Sequence, residues 1–302
     1  MRFVAFFSCL AAAPLLMAAA QPVRLQPSGP WMVDYAENSC RLIRTFGEGG
    51  RKVVFALESE SPDQVDMLLV GNPLHTDHQE VPTRFLPVQG KPMNGTVANS
   101  TKGPAVVVSS VDFLPDEVAE KIEKKVEQLR LNPALRPPPL DLAEEAQTKA
   151  RRLEFASKAT EFEIDARRSR PVILETGSLG AAVKMFDKCS RDSLRDWGVD
   201  PDIEDKIVRP VWAADPHKWL TSDDYPPEML RRGQESDVKV RLLVDATGKV
   251  TKCTSLSHYQ ETSFNEVVCD KFMKRAHFEP AELVDGTKVP SFYTNHIVFR
   301  ME

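Results

Sequence analysis

The feature that most constrains the fold is a dense run of regular patterns from Tyr225 to the C-terminus of the 302-residue chain. Aliphatic side chains occupy every second position of one segment: Val238, Val240, Leu242 and Val244. This period predicts a β-strand with one buried face and one solvent-exposed face. Gly248 allows a tight turn after the strand, and residues 250–256 return as the second strand of a hairpin.

A helix and a third strand are predicted after the hairpin. Ser263 and Glu266 have the spacing of a capping box at a helix N-terminus. Apolar residues follow at helical spacing: Phe264, Val267, Val268, Phe272 and Ala276. They form one stripe that can cover a face of the hairpin. With a short proline-marked segment before the first strand and an alternating segment over 291–301, the predicted order is α-β-β-α-β.

Short motifs punctuate this region in a fixed order: Tyr225-Pro226, Arg232-Gly233, Val244-Asp245, Gly248-Lys249-Val250 and Phe278-Glu279-Pro280-Ala281. In this order and spacing, residues 222–302 resemble the C-terminal domain of TonB-family energy transducers. The resemblance implies a small domain with a three-stranded antiparallel sheet. Ser236-Asp237 replaces a usual glycine, and His258-Tyr259-Gln260 replaces a usual serine-glycine turn. We expect these loops to differ from the family in what they bind.

The resemblance also implies a function. In the family this domain engages a short extended segment of an outer-membrane receptor, which adds to the edge of its sheet. Unpaired backbone groups at such an edge give affinity without requiring one particular sequence. We expect the last strand, residues 291–301, to be the recognition edge. The candidate partner-binding residues alternate along it: Tyr293, Asn295 and Ile297. The predicted function is binding of an envelope or outer-membrane receptor partner, in support of TonB-dependent transport.

Residues 1–20 have the pattern of a secretory signal peptide, with an apolar run and three alanines before Gln21. Cleavage would place the protein in the periplasm. The alternative is an uncleaved anchor over residues 3–20, which would associate the protein with the inner membrane. Direct coupling to the proton gradient needs such an anchor and a long proline-rich spacer, whereas the proline tract at 136–140 is short. A soluble envelope adaptor or scaffold, unrelated to energy coupling, is therefore the alternative function.

Four cysteines follow the predicted cleavage site, and an even number in an oxidising compartment favours disulfides. Cys253 lies on the second predicted strand and Cys269 on the helix that covers it, so these two are expected to pair. That pairing leaves Cys40 with Cys189. Buried free thiols are the alternative, and a metal site would need tighter ligand spacing.

The region before the C-terminal domain resembles no family that we recognise. Short alternating segments in its first half predict antiparallel strands, while periodic apolar positions predict helices over 116–131 and from a cap at Ser178 to Gly198. We expect an α+β domain over residues 28–200 and an ordered connector over 201–221. Its function is open, and hydrolase activity is one alternative.

The sequence predicts no catalytic residue, metal site or cofactor. No nucleophile elbow, zinc-protease motif or phosphate-binding glycine loop is present. His75 and His78 lie in a proline-bounded loop, where solvated side chains are favoured over a metal site. The formal charge of -5 and the lack of clustered Lys and Arg argue against a nucleic-acid partner. The chain is thus predicted not to be an enzyme.

Overall fold

A computed structural model describes residues 21–301, except 37, 63, 132–135, 166–169, 214 and 257–261. The predicted signal peptide and the predicted loop at 258–260 lie outside the described residues. Over the described ranges the helices are α1 (Asp116–Leu131), α2 (Leu142–Lys158), α3 (Gly180–Trp197), α4 (Pro201–Glu204), α5 (Pro227–Arg231) and α6 (Thr262–Arg275). None of these helices combines the length and the apolar character that crossing a bilayer requires.

Within the described part of the chain, ten strands form one large sheet. They are β1 (Val23–Leu25), β2 (Met32–Tyr35), β3 (Cys40–Phe46), β4 (Val53–Ser61), β5 (Gln64–Val70), β6 (Glu80–Leu86), β7 (Met93–Ser100), β8 (Gly103–Val108), β9 (Glu161–Ile164) and β10 (Val172–Leu174). Their order is β1-β10-β9-β6-β7-β8-β5-β4-β3-β2, and only the β1–β10 pair is parallel. A bridge between Pro27 and Phe46 brings the chain after β1 against β3, so the sheet curls toward a closed barrel.

The inner face of this sheet and helix α3 enclose the first hydrophobic core. Alternate residues of β4 are buried, from Val53 through Phe55 to Leu57. Helix α3 contributes Val183 and Phe186 to the same core. The disulfide Cys40–Cys189 joins β3 to this helix and closes a loop with a sequence separation of 149. In the chain-entropy model such a loop contributes about 5 kcal/mol to stability.

The ends of the helices differ slightly from the sequence predictions. Helix α3 ends as predicted at Gly198, whose left-handed backbone (φ 88°) closes the last turn. Its N-cap is Leu179 rather than Ser178, although the Ser178 hydroxyl accepts a bond from the Gly180 N–H. Helix α6 begins at Thr262, so Ser263 lies in its first turn rather than before it.

The C-terminal sheet contains β12 (Ser236–Val244), β13 (Val250–Ser255) and β16 (Ser291–Phe299), in the antiparallel order β13-β12-β16. The turn before β13 uses Gly248 at φ 86°, where an added Cβ would lie 1.9 Å from the Phe278 carbonyl oxygen. Helix α6 packs on one face of this sheet, and the disulfide Cys253–Cys269 joins it to β13. The predicted α-β-β-α-β order is therefore present, with a short extra hairpin before the last strand.

The segment predicted as a connector packs with the C-terminal sheet and helix. Its strand β11 (Ile207–Arg209) pairs with β14 (Ala281–Leu283), which pairs in turn with β15 (Lys288–Val289). Four of its side chains join the second hydrophobic core: Ile207, Val211, Ala213 and Trp219. The centre of the Trp219 ring lies 6.0 Å from that of Phe272 and 4.8 Å from that of Phe278. This tryptophan therefore contributes to core packing.

Candidate functional site

The three-stranded sheet has two edges, formed by β13 and β16. Strand β16 has nine residues and pairs with β12 in unbroken register. Strand β13 has six residues, and its pairing with β12 shifts between Leu243 and Val244. An edge offers a partner strand as many hydrogen bonds as its regular length allows. Strand β16 is therefore the better edge for strand addition in the described part of the chain.

Two hydrogen bonds show which backbone groups of β16 face away from the sheet. The backbone carbonyl of Lys239 accepts a hydrogen bond from the Leu256 N–H, so it points toward β13. His296, which lies opposite Lys239 on β16, is therefore not hydrogen-bonded to that carbonyl. The His296 N–H instead donates to Oδ1 of Asn295 at 2.9 Å. Because the directions of backbone groups alternate along a strand, the outward N–H and C=O groups belong to four residues: Phe292, Thr294, His296 and Val298.

The three predicted partner-binding residues share the sheet face that carries helix α6. Tyr293 and Ile297 pack against the second core, and the Tyr293 ring lies 4.9 Å from that of Phe278. Burial raises the pKa of the Tyr293 hydroxyl. Asn295 lies between them, and its side-chain oxygen accepts a hydrogen bond from the outward N–H of His296. The exposed side chains of β16 are instead Thr294, His296 and Val298.

The fold, the strand order and the open edge agree with the resemblance seen in the sequence. Residues 222–301 match the family of the Gram-negative bacterial TonB protein C-terminal domain. The match covers about a quarter of the chain and leaves the large sheet outside it. Over these residues the chain is similar to TonB-like interaction domains of the bacterial envelope. No curated protein matches the chain.

The TonB C-terminal domain docks on the large sheet through the face opposite α6. Arg241 of β12 is at the centre of this contact and is only 2% exposed. Its guanidinium donates to the Glu60 carbonyl at 3.0 Å and lies 3.3 Å from the centre of the Trp197 ring. It also donates to the backbone and side-chain oxygens of Asn38 at 3.4 and 3.3 Å. Burial lowers the pKa of Arg241 to about 10, so it remains charged at neutral pH.

A second basic residue on this face, Lys239, forms ion pairs with the large sheet. Its ammonium lies 3.4 Å from Oε2 of Glu60 and 3.2 Å from Oδ2 of Asp66. Burial acts to lower the pKa of Lys239, but the charges of Asp66 and Glu60 outweigh it and raise that pKa. Burial raises the pKa of Glu60, against the opposing charge of Lys239.

This docking corrects one expectation from the sequence. The β12 face that carries Lys239 and Arg241 was predicted to be solvent-exposed, because charged residues alternate with the buried valines. In the structure the N-terminal region covers it, and Leu243 and Phe292 pack there against Trp197. No local pattern links residues 38, 60 and 197 to residue 241, so the sequence does not identify these partners.

A cleft of about 200 Å³ opens where the docked surfaces separate beside the edge strand. One wall comes from the β4–β5 turn region and the other from the TonB C-terminal domain. Its lining residues are Glu60, Ser61, Gln64, Lys239, Val240, Leu256, Thr294, Asn295 and His296. The cleft thus adjoins the outward backbone groups of β16.

A second cleft, of about 370 Å³, lies between the start of α1 and the end of α2. Glu154, one of two acidic residues that line it, is paired with Lys158 at 2.6 Å, and that hydrogen bond lowers the pKa of Glu154. An ionised carboxylate of this kind is unsuited to act as a general acid. Among the described residues, no group of three His, Cys, Asp or Glu side chains is placed to hold a metal.

Proposed function

We propose that this protein binds an extended segment of an outer-membrane receptor, or of another envelope protein, by strand addition to β16. The observation that carries the proposal is the open nine-residue edge, with regular register and outward backbone groups at alternate residues from Phe292 to Val298. Backbone hydrogen bonds along such an edge supply affinity, and side-chain contacts supply preference. Tyr293, Asn295 and Ile297 would set the preference on the α6 face.

Three further points belong to this proposal. Residues 1–20 are a cleaved signal peptide, and the mature protein acts in the periplasm, where it supports TonB-dependent transport. Residues 28–200 and 222–302 are separate domains, and residues 201–221 pack with the second one. The two disulfides fit an oxidising compartment, because cytosolic thiols are kept reduced.

An adaptor role without energy coupling is the second candidate, and the docked domains favour it. The N-terminal region forms hydrogen bonds and ion pairs with Arg241 and Lys239 of the TonB C-terminal domain. Its Trp197 also packs against Phe292, with the two ring centres 6.1 Å apart. The edge strand is therefore presented on a combined two-domain surface. A scaffold that joins two envelope partners would have this construction.

The test places a photo-crosslinking amino acid at Val298 and introduces Thr294→Pro in the same full-length protein, expressed in its own bacterium. Proline removes the outward N–H of residue 294, so capture of the partner strand should fall at least tenfold. The matched control is Thr294→Val, which keeps both the N–H and a β-branched side chain. It should crosslink like the parent protein.

The crosslinked partner peptide is identified by mass spectrometry. We expect one short segment of an envelope protein, lost in Thr294→Pro and kept in Thr294→Val. Equal crosslinking in Thr294→Pro would move the binding surface away from β16. Asn295→Pro is a poorer probe, because the alternation points the N–H of residue 295 toward β12.

A further inference from the structure

The outer face of the large sheet, which points away from the first hydrophobic core, carries a row of apolar side chains. Registered pairs place five of them directly beside one another across β2, β3, β4, β5 and β8: Met32, Ile43, Ala56, Leu68 and Val107. Val54 and Val70 form a further registered pair next to this row. Cross-strand partners share one face of a sheet, so these seven residues form one continuous apolar band.

The apolar band is open to solvent. Met32 is 56% exposed, Leu68 39% and Val54 37%, and the other members are half-buried. None of the seven belongs to the three hydrophobic cores that the described residues form. Their inward-facing neighbours Phe55 and Met67 are fully buried. An exposed apolar patch of a few hundred Å² often marks a protein interface.

Charges of opposite sign lie at the two ends of the apolar band. The outward positions from the residue before β4 to its end are Lys52, Val54, Ala56, Glu58 and Glu60. Lys52 is exposed. At the other end Glu58 pairs with Arg41, while Glu60 and Asp66 share Lys239. Three carboxylates with two cations leave this end acidic, whereas the Lys52 end is basic.

The register of the sheet gives the apolar band a line of symmetry. Arg44, Phe55, Leu69 and Val106 lie side by side in one row across β3, β4, β5 and β8. The two halves of the band flank this row. A two-fold axis that lies over the row, perpendicular to the strands, would bring a second copy face to face with its strands antiparallel to the first.

This arrangement is self-complementary. It sets residues of one copy opposite residues of the other in three kinds of pair: Val54 with Ala56, Leu68 with Val70, and Lys52 with Glu58. Apolar residues therefore meet apolar residues, and each basic end meets an acidic end. A parallel arrangement would instead place the two acidic ends together, and like charges across an interface are unfavourable.

The face is large enough for a weak dimer. Strands about 4.8 Å apart, with outward residues about 7 Å apart along each strand, give a face of roughly 24 by 28 Å for the band and the charged rows beside it. Two such faces would bury about 1,300 Å², at the lower end of specific interfaces. Aligned sheets pack in this way, with interdigitated side chains.

We propose that the outer face of the large sheet is a self-association interface, on which a second copy of this chain packs with its strands antiparallel. This inference goes beyond the proposed function and does not depend on it. It gives the region outside the TonB C-terminal domain a role of its own. A two-fold dimer would contain two copies of the edge strand β16.

The experiment is analytical ultracentrifugation of the full-length protein at concentrations up to about 200 μM. We expect a dimer with a Kd of roughly 10 μM, within the range of interfaces of this size. Leu68→Glu should weaken it at least tenfold, because the new carboxylate would be buried among apolar side chains. Met185→Glu is the control, since Met185 is 43% exposed on α3, outside the apolar band. Both variants should unfold at the wild-type temperature, because both side chains are exposed.

Two further measurements test the arrangement. Lys52→Glu should weaken the dimer at least threefold at low ionic strength and less in roughly 1 M salt, where charges are screened. Lys91→Glu, at another exposed lysine, should not. A photo-crosslinking amino acid at Val54, in a mixture of ¹⁴N-labelled and ¹⁵N-labelled protein, should give mixed-isotope crosslinks to β4 near Ala56.

The outcomes are distinct. A protein that is monomeric up to the highest concentration, or a dimer that Leu68→Glu leaves intact, would overturn the proposal. Mixed-isotope crosslinks to a surface other than the band would do the same. A monomer that binds phosphatidylethanolamine–phosphatidylglycerol vesicles, and loses them in Leu68→Glu, would assign the face to a membrane and overturn it too. Thr294→Pro should leave self-association unchanged, so this proposal and strand addition can fail separately.

Discussion

The two faces of the three-stranded sheet are covered in opposite ways. One face presents Val238, Val240 and Leu242 to helix α6 of the same domain. The Cys253–Cys269 disulfide links that helix to the sheet. The other face presents Lys239 and Arg241 to polar groups 173 to 203 positions away in the chain. The first face is largely buried, whereas the second is covered around Arg241 and leaves Thr294, His296 and Val298 of β16 exposed. Alternation in a strand therefore predicts which side chains share a face, but it does not predict which polar face another domain will cover.

The difference has a physical basis. Aliphatic side chains gain by leaving water and need only close packing. A guanidinium can be buried only if its donors and charge are satisfied, and here two carbonyls, one side-chain amide and one indole ring do so. The apolar face should therefore tolerate changes that keep its volume, whereas the polar face should depend on specific partners.

The largest expected effect is on the apolar face. Phe272→Ala removes a ring that is 1% exposed and packs against Trp219. We expect a loss of about 4 kcal/mol in the free energy of unfolding, from the lost transfer energy and the cavity left behind. Denaturant unfolding measures it. Met273→Ala on the same helix is the control, because that side chain is 42% exposed and should cost within about 0.5 kcal/mol. Equal effects of the two variants would contradict the assigned core.

On the polar face, Arg241→Ala should cost about 3 kcal/mol. This figure combines the lost hydrogen bonds to Glu60 and Asn38, about 1 kcal/mol each, with a desolvated cation–π contact to Trp197. Calorimetry should show the unfolding of the C-terminal domain moving to lower temperature, separate from that of the large sheet.

Two variants sharpen this result. Arg241→Lys keeps the charge but loses the planar fork, so its effect should lie between those of wild type and Arg241→Ala. Arg231→Ala removes an exposed arginine and should leave the transition in place. A single unshifted transition in Arg241→Ala would mean that this contact does not hold the two domains together.

These contacts show how far the sequence alone could reach. Local periodicity predicted the α-β-β-α-β order, the turn at Gly248 and the helix over 116–131, because each depends on neighbouring residues. The two disulfides in the structure are the pairings that the sequence favoured. Cys253 and Cys269 lie on adjacent elements of one predicted unit, and Cys40 and Cys189 were the two cysteines left over. The curled sheet and the domain docking depend on distant pairs, which no local pattern reports.

The candidate site divides in the same way. Alternation predicted correctly that Tyr293, Asn295 and Ile297 share a face, but it did not distinguish the α6 face from the docked face. It also could not show that the outward backbone groups belong to Thr294 and His296. The cleft could not be predicted at all, because Ser61 and His296 are more than 200 residues apart and meet only after docking.

The smallest expected effect separates the two basic residues of the polar face. The Lys239 side chain is 35% exposed, and its ion pairs with Glu60 and Asp66 are longer than 3 Å. Partly solvated pairs contribute little and are screened by salt. Lys239→Ala should therefore cost about 1 kcal/mol or less in denaturant unfolding at low ionic strength. The cost should shrink toward zero in roughly 1 M salt, where the screening length is about 3 Å.

Lys252→Ala, at an exposed position of β13, provides the baseline. The cost of Arg241→Ala should change much less with salt, because its guanidinium is buried and bonded to neutral oxygens. Equal salt dependence of the two variants would mean that charge alone, rather than a satisfied guanidinium, holds the polar face to the large sheet.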